Sequence, residues 1–131
     1  MITNFDYLKN ESKFSSFASV AISAEKIILI DPEASIINSR RAMEFAIKWM
    51  YSVDKELEMP YQDNLQSLMN AEDYRQIVGP DLWKRMDYIR RCGNNVAHSN
   101  KKLGRDEAML CEVNLIIYLD YIAYCYSDEY E

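Results

Sequence analysis

Only three glycines and three prolines punctuate a chain of 131 residues. Glycine supplies the positive-φ backbone of tight turns, and proline interrupts regular hydrogen bonding. A chain with so few of either lacks the turns of an all-β fold and favours long helices. The hydrophobic spacing agrees. Phe14, Phe17, Ala18, Ala21 and Ile28 recur at helical intervals, which predicts an amphipathic helix over 12–30. Asp31-Pro32 stops that helix, because the residue before proline avoids the α region. The same pair starts the next one, with Asp31 as N-cap and Pro32 in the first turn. The second helix is predicted from Pro32 to about Val53, with Ile36, Ile37, Met43, Phe45, Ile47, Met50 and Tyr51 as its apolar face. A connection this short makes the two an antiparallel hairpin.

Residues 54–62 read as a polar connection. Asp63 is placed to cap a short helix carrying Leu65, Leu68 and Met69, and Asn70 to cap another through Tyr74 and Ile77 that ends at Gly79-Pro80. Asp81 then caps a helix with Leu82, Trp83, Met86 and Ile89 inward. This helix is expected to end or bend at Gly93-Asn94, since both residues tolerate left-handed backbone. After a loop over 99–105, a long final helix from about Asp106 to Tyr126 turns Ala108, Cys111, Leu115, Tyr118, Ile122 and Cys125 inward. The expected fold is a compact all-α bundle of three to four long helices plus short ones, forming a single domain over residues 1–131.

Hydrophobic residues at 49% and aromatics at 12% exclude a disordered chain. No uninterrupted apolar run reaches the roughly 18 residues of a membrane span, and Met1-Ile2-Thr3-Asn4-Phe5-Asp6 lacks the pattern of a signal peptide. A cytoplasmic protein with no membrane partner is therefore expected. Cys92, Cys111 and Cys125 form no CxxC pair, which supports neither a zinc site nor a disulfide framework. Cys111 and Cys125 read as buried free thiols. No metal and no cofactor are expected in this domain. The net charge of −6 argues against nucleic-acid binding over the whole surface. Its distribution is uneven, however. Lys84, Arg85, Arg90, Arg91, Lys101, Lys102 and Arg105 face the single acid Asp87 within residues 84–105, a local +6 that leaves −12 for the rest. Such a segment either focuses an anion on one face or consists of solvated helix charges paired with acids elsewhere.

The block Ile89-Arg90-Arg91-Cys92-Gly93-Asn94-Asn95-Val96-Ala97-His98-Ser99 holds the only histidine. Imidazole titrates near neutrality and serves as general base or acid. Arginines beside it can hold a phosphodiester, and Asn94, four residues before His98, would share its face on a helix. A metal-free ribonuclease could use such a set, with His98, Arg91 and Asn94 as its catalytic candidates. The alternative is structural: Asn94 caps a helix end after the Gly93 bend, and His98 donates its ring N–H to a carbonyl. Arg40 and Glu44, spaced i,i+4, are expected to pair as a structural element. Tyr118, Tyr121 and Tyr124, followed by Tyr126 and Tyr130, suit core packing, a domain or dimer interface, or base stacking. The phosphate-binding GxxxxGK[ST], HExxH, GxSxG and GxGxxG patterns are absent from the sequence.

Several blocks in order carry a resemblance: Asn4-Phe5-Asp6-Tyr7-Leu8, Asp31-Pro32-Glu33-Ala34, Arg40-Arg41-Ala42-Met43-Glu44-Phe45-Ala46, Tyr61-Gln62-Asp63-Asn64-Leu65, Val78-Gly79-Pro80 and the histidine block. Together they resemble the helical N-terminal domain of bacterial type I restriction enzyme R subunits, catalogued as a domain of unknown function and similar to the HEPN superfamily of helical, often RNA-associated domains. The resemblance implies the N-terminal fragment of a longer chain with a nuclease region and an ATP-driven translocase downstream. It implies as partners DNA or RNA, other restriction-modification subunits or the downstream domains, and a homodimer. Active HEPN proteins resemble one another in an arginine, usually followed by a polar residue, four to six positions before a histidine. Arg91 precedes His98 with six residues between, but Cys92 follows it and Gly93 stands directly before Asn94. The resemblance therefore implies either a ribonuclease using Arg91 and His98 or a non-catalytic interaction domain. In the second case Arg90, Arg91, Lys101, Lys102 and Arg105 would contact nucleic acid.

Overall fold

A computed structural model describes residues 2–98 and 102–128. Two short 3-10 turns, Asp6–Asn10 and Ser12–Phe14, lead into α1 (Ser15–Lys26). Then follow α2 (Pro32–Val53), the short α3 (Leu65–Asn70), α4 (Glu72–His98) and α5 (Arg105–Tyr126), with no strand among the described residues. The fold is all-α. Its core is one cluster containing Phe14, Phe17, Ile36, Met43, Ile47, Met50, Tyr74, Met86, Ile89, Leu115, Tyr118 and Ile122.

Contacts between ends give the topology. Ser35 Oγ donates to Ala24 O at 2.7 Å, and the Trp49 ring meets Phe14 and Phe17 at 5.4 and 5.8 Å, so α2 returns along α1. The Tyr74 hydroxyl lies 3.7 Å from Met50 Sδ, and Arg40 abuts Gly93, so α4 runs back along α2. Tyr121 Oη donates to Ile77 O at 3.3 Å and Arg85 to Asn114 at 3.0 Å, which sets α5 antiparallel to α4. The four long helices alternate in direction.

The Asp31 carboxylate caps α2, accepting from Ala34 N at 3.1 Å with Pro32 in the first turn. Elsewhere the boundaries differ from the expectation. The first long helix shortens to Ser15–Lys26 because residues 12–14 form a 3-10 turn and 27–30 a turn. Asn64, not Asp63, caps α3, accepting from Ser67 N at 2.9 Å. Asn70 closes α3 instead of capping its successor, and α4 starts after Ala71. Gly79, with φ 82° and ψ 165°, breaks α4 into two segments. Pro80, which needs no N–H partner, restarts the helix, so Asp81 sits inside the first turn. On α2 the inward face is Ser35, Ile36, Ser39, Ala42, Met43, Ala46, Ile47, Met50 and Tyr51, while Phe45 is exposed. The small residues on that face let α1 approach closely.

By length and composition α5 is apolar enough to cross a membrane, contrary to the expectation that no segment is. Glu112, Asn114 and Asp120 interrupt its apolar run, so a search for unbroken stretches passes over it. In the bundle Ala108, Cys111, Leu115, Tyr118, Leu119 and Ile122 are buried, and Met109, Leu110, Val113 and Ile117 are exposed on the other side. Cys125, expected inside, is exposed. Tyr126 takes the inward place in the last turn, its ring 5.4 Å from Trp49.

One carboxyl pair joins α1 to α5. Asn4 N and Nδ2 both donate to Glu25 Oε1 at 3.0 Å, and Glu112 stands beside Glu25 with its Oε1 buried. Burial, then the hydrogen bond and repulsion from Glu25, raise the Glu112 carboxyl from 4.5 to about 7. A raised carboxyl favours the folded state while protonated, so its contribution is full below 4.5 and is lost as pH rises through about 7. Glu112→Gln, which donates to Glu25 without titrating, should flatten this fall. Thermal melts of both proteins across that range provide the check.

Candidate functional site

From Ile89 to His98 the histidine block lies on the second half of α4 and is helical. Gly93 has no positive φ; among the described residues only Gly79 does. The bend expected at Gly93-Asn94 is absent, and Asn94 is a helix-interior residue, not a cap. The reason is steric. A Cβ at Gly93 would stand 2.3 Å from Arg40 Cδ and 3.1 Å from Arg40 Cβ. Glycine serves here to admit the arginine stem of α2 across the surface of α4.

Arg40 consequently does not pair with Glu44. Its Nε is buried without a partner, and Glu44 instead meets Lys48 at 3.0 Å. A glutamate four residues before a lysine is the favoured orientation of such a pair. Arg41 holds its guanidinium 5.6 Å from the Phe45 ring centroid.

Helix continuity places Asp87, Arg91, Asn94 and His98 at spacings of four, three and four, one face of α4. His98 is exposed in the last turn, where a basic side chain suits the helix dipole. It makes no hydrogen bond to a described carbonyl. Asp87 holds both neighbouring arginines: Arg90 Nη2 at 2.8 Å and Arg91 Nε at 3.1 Å. Arg90 is half-buried, whereas the Arg91 side chain is 63% exposed. Part of the positive charge read from the sequence is thus neutralised within α4.

Lys102 and Arg105 are exposed on either side of Leu103. Leu103 is buried, and its N–H donates to Glu33 Oε2 at 3.4 Å, tethering the segment before α5 to the start of α2. Lys101 and Ser99 lie outside the described residues. The basic side chains at this end of the bundle are Arg91 on α4 and Lys102 and Arg105 at the entry to α5, beside the exposed His98, with the acids Glu33, Asp106 and Glu107 at the same end. Lys84 and Arg85 are exposed further back along α4. No group of three His, Cys, Asp or Glu among the described residues could hold a metal ion.

Two features escaped the sequence reading. Cys92 of α4 and Cys111 of α5 are both buried in the core and perturb each other's ionisation, which lowers the Cys92 thiol and raises that of Cys111, a relation invisible without the helix register. The Tyr74 and Tyr118 hydroxyls meet at 2.8 Å in the core, against Met50 and Met86 sulfurs. Tyr118 is thus a core residue. Tyr121 is half-buried and Tyr124 exposed, while Tyr130 lies outside the described residues.

Four alternating helices, with a lone exposed imidazole and several cations gathered at one end, define a small helical domain with a cationic corner. The chain belongs to the DUF4145 family, a domain of unknown function, whose family model matches residues 23–126. That span takes in Arg40, Gly93 and the whole histidine block. No curated protein and no solved structure matches the chain.

Proposed function

We propose that this chain is a non-catalytic helical accessory domain of a type I restriction enzyme R subunit, serving DNA restriction and anti-phage defence, and that it docks on the phosphate backbone of DNA through its cationic corner. The observation that carries the reading is the exposure of Arg91, Lys102 and Arg105 at one end of an otherwise acidic protein. The ordered blocks shared with R-subunit N-terminal domains support the class. The apolar outer side of α5, with Met109, Leu110, Val113 and Ile117 exposed, suits a contact with another subunit, with the downstream domains of the same polypeptide, or with a second copy. Docking is electrostatic, without base readout, so duplex DNA binding should weaken steeply as salt rises. Replacing Lys101, Lys102 and Arg105 by Glu should reduce affinity by about tenfold or more and flatten the salt slope. Fluorescence anisotropy on labelled duplexes reads both quantities, and unchanged binding by the triple variant removes this corner from the contact.

A second reading has its own observation. Because the second segment of α4 runs unbroken through Gly93, Arg91, Asn94 and His98 share one face, the arrangement a HEPN-like, metal-independent endoribonuclease would use. In that case His98 acts as base and Arg91 as phosphate clamp. Wild-type protein should then cleave single-stranded RNA in EDTA, and His98→Ala should lose at least about a hundredfold in rate. Equal rates for the two proteins, or no cleavage by either, eliminate it.

A further inference from the structure

We propose that Arg40, where its side chain crosses α4 at Gly93, forms with Asn94 a binding site for a phosphate group, either free or within a polynucleotide backbone. The starting observation is an arginine without a partner. Arg40 is half-buried at the α2–α4 contact, and it makes no hydrogen bond, ion pair or ring contact with a described residue. Its Nε is buried with no acceptor, while its two terminal nitrogens, equally without hydrogen bonds, are not buried. A guanidinium drawn this far out of water with nothing to accept from it is costly, and buried donors in folded proteins are almost always satisfied. The neighbouring carboxylates are engaged elsewhere. Glu44, one turn along α2, holds Lys48 at 3.0 Å. Glu33, two turns back, accepts from Leu103 N at 3.4 Å. Asp87 of α4 holds Arg90 and Arg91 at 2.8 and 3.1 Å. Gly93 keeps the arginine in this place, since Arg40 Cβ, Cγ and Cδ lie 3.1, 3.2 and 2.3 Å from where its Cβ would stand.

The surroundings set the class of ligand. A guanidinium presents a planar fork of donors that matches a carboxylate or a phosphate. Asn94 follows Gly93 directly, and its side chain makes no hydrogen bond with a described residue. Arg91, one turn back on the face of Asn94, is 63% exposed. A carboxylate spends both oxygens on the guanidinium fork. A phosphate has oxygens left for a second donor. It accepts from the terminal nitrogens of Arg40 and from Asn94 Nδ2, and its charge offsets the half-buried guanidinium. The site joins α2 to α4 and requires neither DNA docking at Lys102 and Arg105 nor catalysis by His98.

The test is a titration of the isotope-labelled, full chain with inorganic phosphate near pH 7, at constant ionic strength set with sodium chloride. The Arg40 Nε–H resonance and the amides of Gly93 and Asn94 should shift saturably. Phosphate at about 20 mM should raise the melting temperature by about 4 °C over chloride or acetate. Arg40→Ala should weaken phosphate binding by about tenfold or more. Gly93→Ala, which pushes the arginine stem off α4, should weaken it from the other helix. The wild-type spectra decide the matter even if either variant fails to fold. A short duplex then identifies the source of the phosphate. Weaker DNA binding by Arg40→Ala assigns the site to a backbone phosphate, and unchanged DNA binding assigns it to free phosphate or a monoester; each upholds the site. Failure of the wild type to bind DNA removes the docking proposal alone. A phosphate response no larger than that to chloride or acetate, shifts confined to Lys102 and Arg105, or equal phosphate affinity in Arg40→Ala would each overturn the proposal.

Discussion

Gly93→Leu is expected to destabilise the fold by about 3 kcal/mol, at the upper end of overpacking costs, and Gly93→Ala by about 1 kcal/mol. Alanine brings two opposed effects. It is a better helix residue than glycine by about 1 kcal/mol, but its Cβ would fall 2.3 Å from Arg40 Cδ. The arginine stem must then move off α4, and its buried Nε goes with it. Truncating the arginine should remove most of this penalty: in an Arg40→Ala background, where only a Cβ 3.1 Å away remains, Gly93→Ala should range from neutral to stabilising by about 1 kcal/mol. This double-mutant cycle, read from urea unfolding, separates the two explanations of the glycine. A glycine needed for a left-handed bend would be harmed by alanine in both backgrounds. A glycine needed for close approach is harmed only while Arg40 is present. The outcome also bears on the site, because an unbroken helix at position 93 is what aligns Arg91, Asn94 and His98.

That glycine marks the limit of what local sequence rules can reach. The Asp31-Pro32 boundary and the extent of α2 were legible because cap and proline chemistry act within a few residues. Most of the buried residues expected on α1 and α5 followed from the 3.6-residue period, but Cys125 is exposed, and the buried Ile22, Ala24, Leu119 and Ala123 were not among those expected. By contrast, a glycine followed by asparagine carries the same local signal whether it turns the chain or admits a neighbouring helix. Only the register of α2 against α4 distinguishes the cases. The Arg40–Glu44 expectation failed for a related reason: Lys48 competes for Glu44 at the same spacing, while the steric opening at Gly93 draws Arg40 elsewhere. The Cys92–Cys111 and Glu25–Glu112 pairs join residues far apart in sequence, so spacing within one element gives no sign of them. Asp87 was counted as a single charge against seven, yet it engages two arginines at once. The basic end is consequently weighted toward Lys102 and Arg105, with Arg91 partly offset by Asp87.

Tyr118→Phe should cost about 2 kcal/mol, more than its lost oxygen would suggest, because it strands a partner. The Tyr74 and Tyr118 hydroxyls, 2.8 Å apart, are fully buried where α2, α4 and α5 meet. With Tyr118 gone, Tyr74 retains only the sulfurs of Met86 at 3.4 Å and Met50 at 3.7 Å, which are weak acceptors. Leaving a buried donor poorly satisfied costs about 1–3 kcal/mol, whereas removing both partners together can be nearly neutral. Tyr74→Phe should likewise destabilise, with Tyr118 left to Met50 Sδ at 3.3 Å. The double variant should be markedly more stable than the sum of the single costs, by about 1–2 kcal/mol. Burial drives both phenols well above their ordinary range, so the coupling should not change with pH across neutrality. Urea midpoints for the four proteins measure it, and strictly additive costs would mean that the hydroxyls do not satisfy each other. The pair lies away from the cationic corner, on the far side of the bundle's midpoint from His98. Each phenylalanine variant that still folds should therefore keep the salt dependence of DNA binding, which separates the residues that hold the helices together from those that face a ligand.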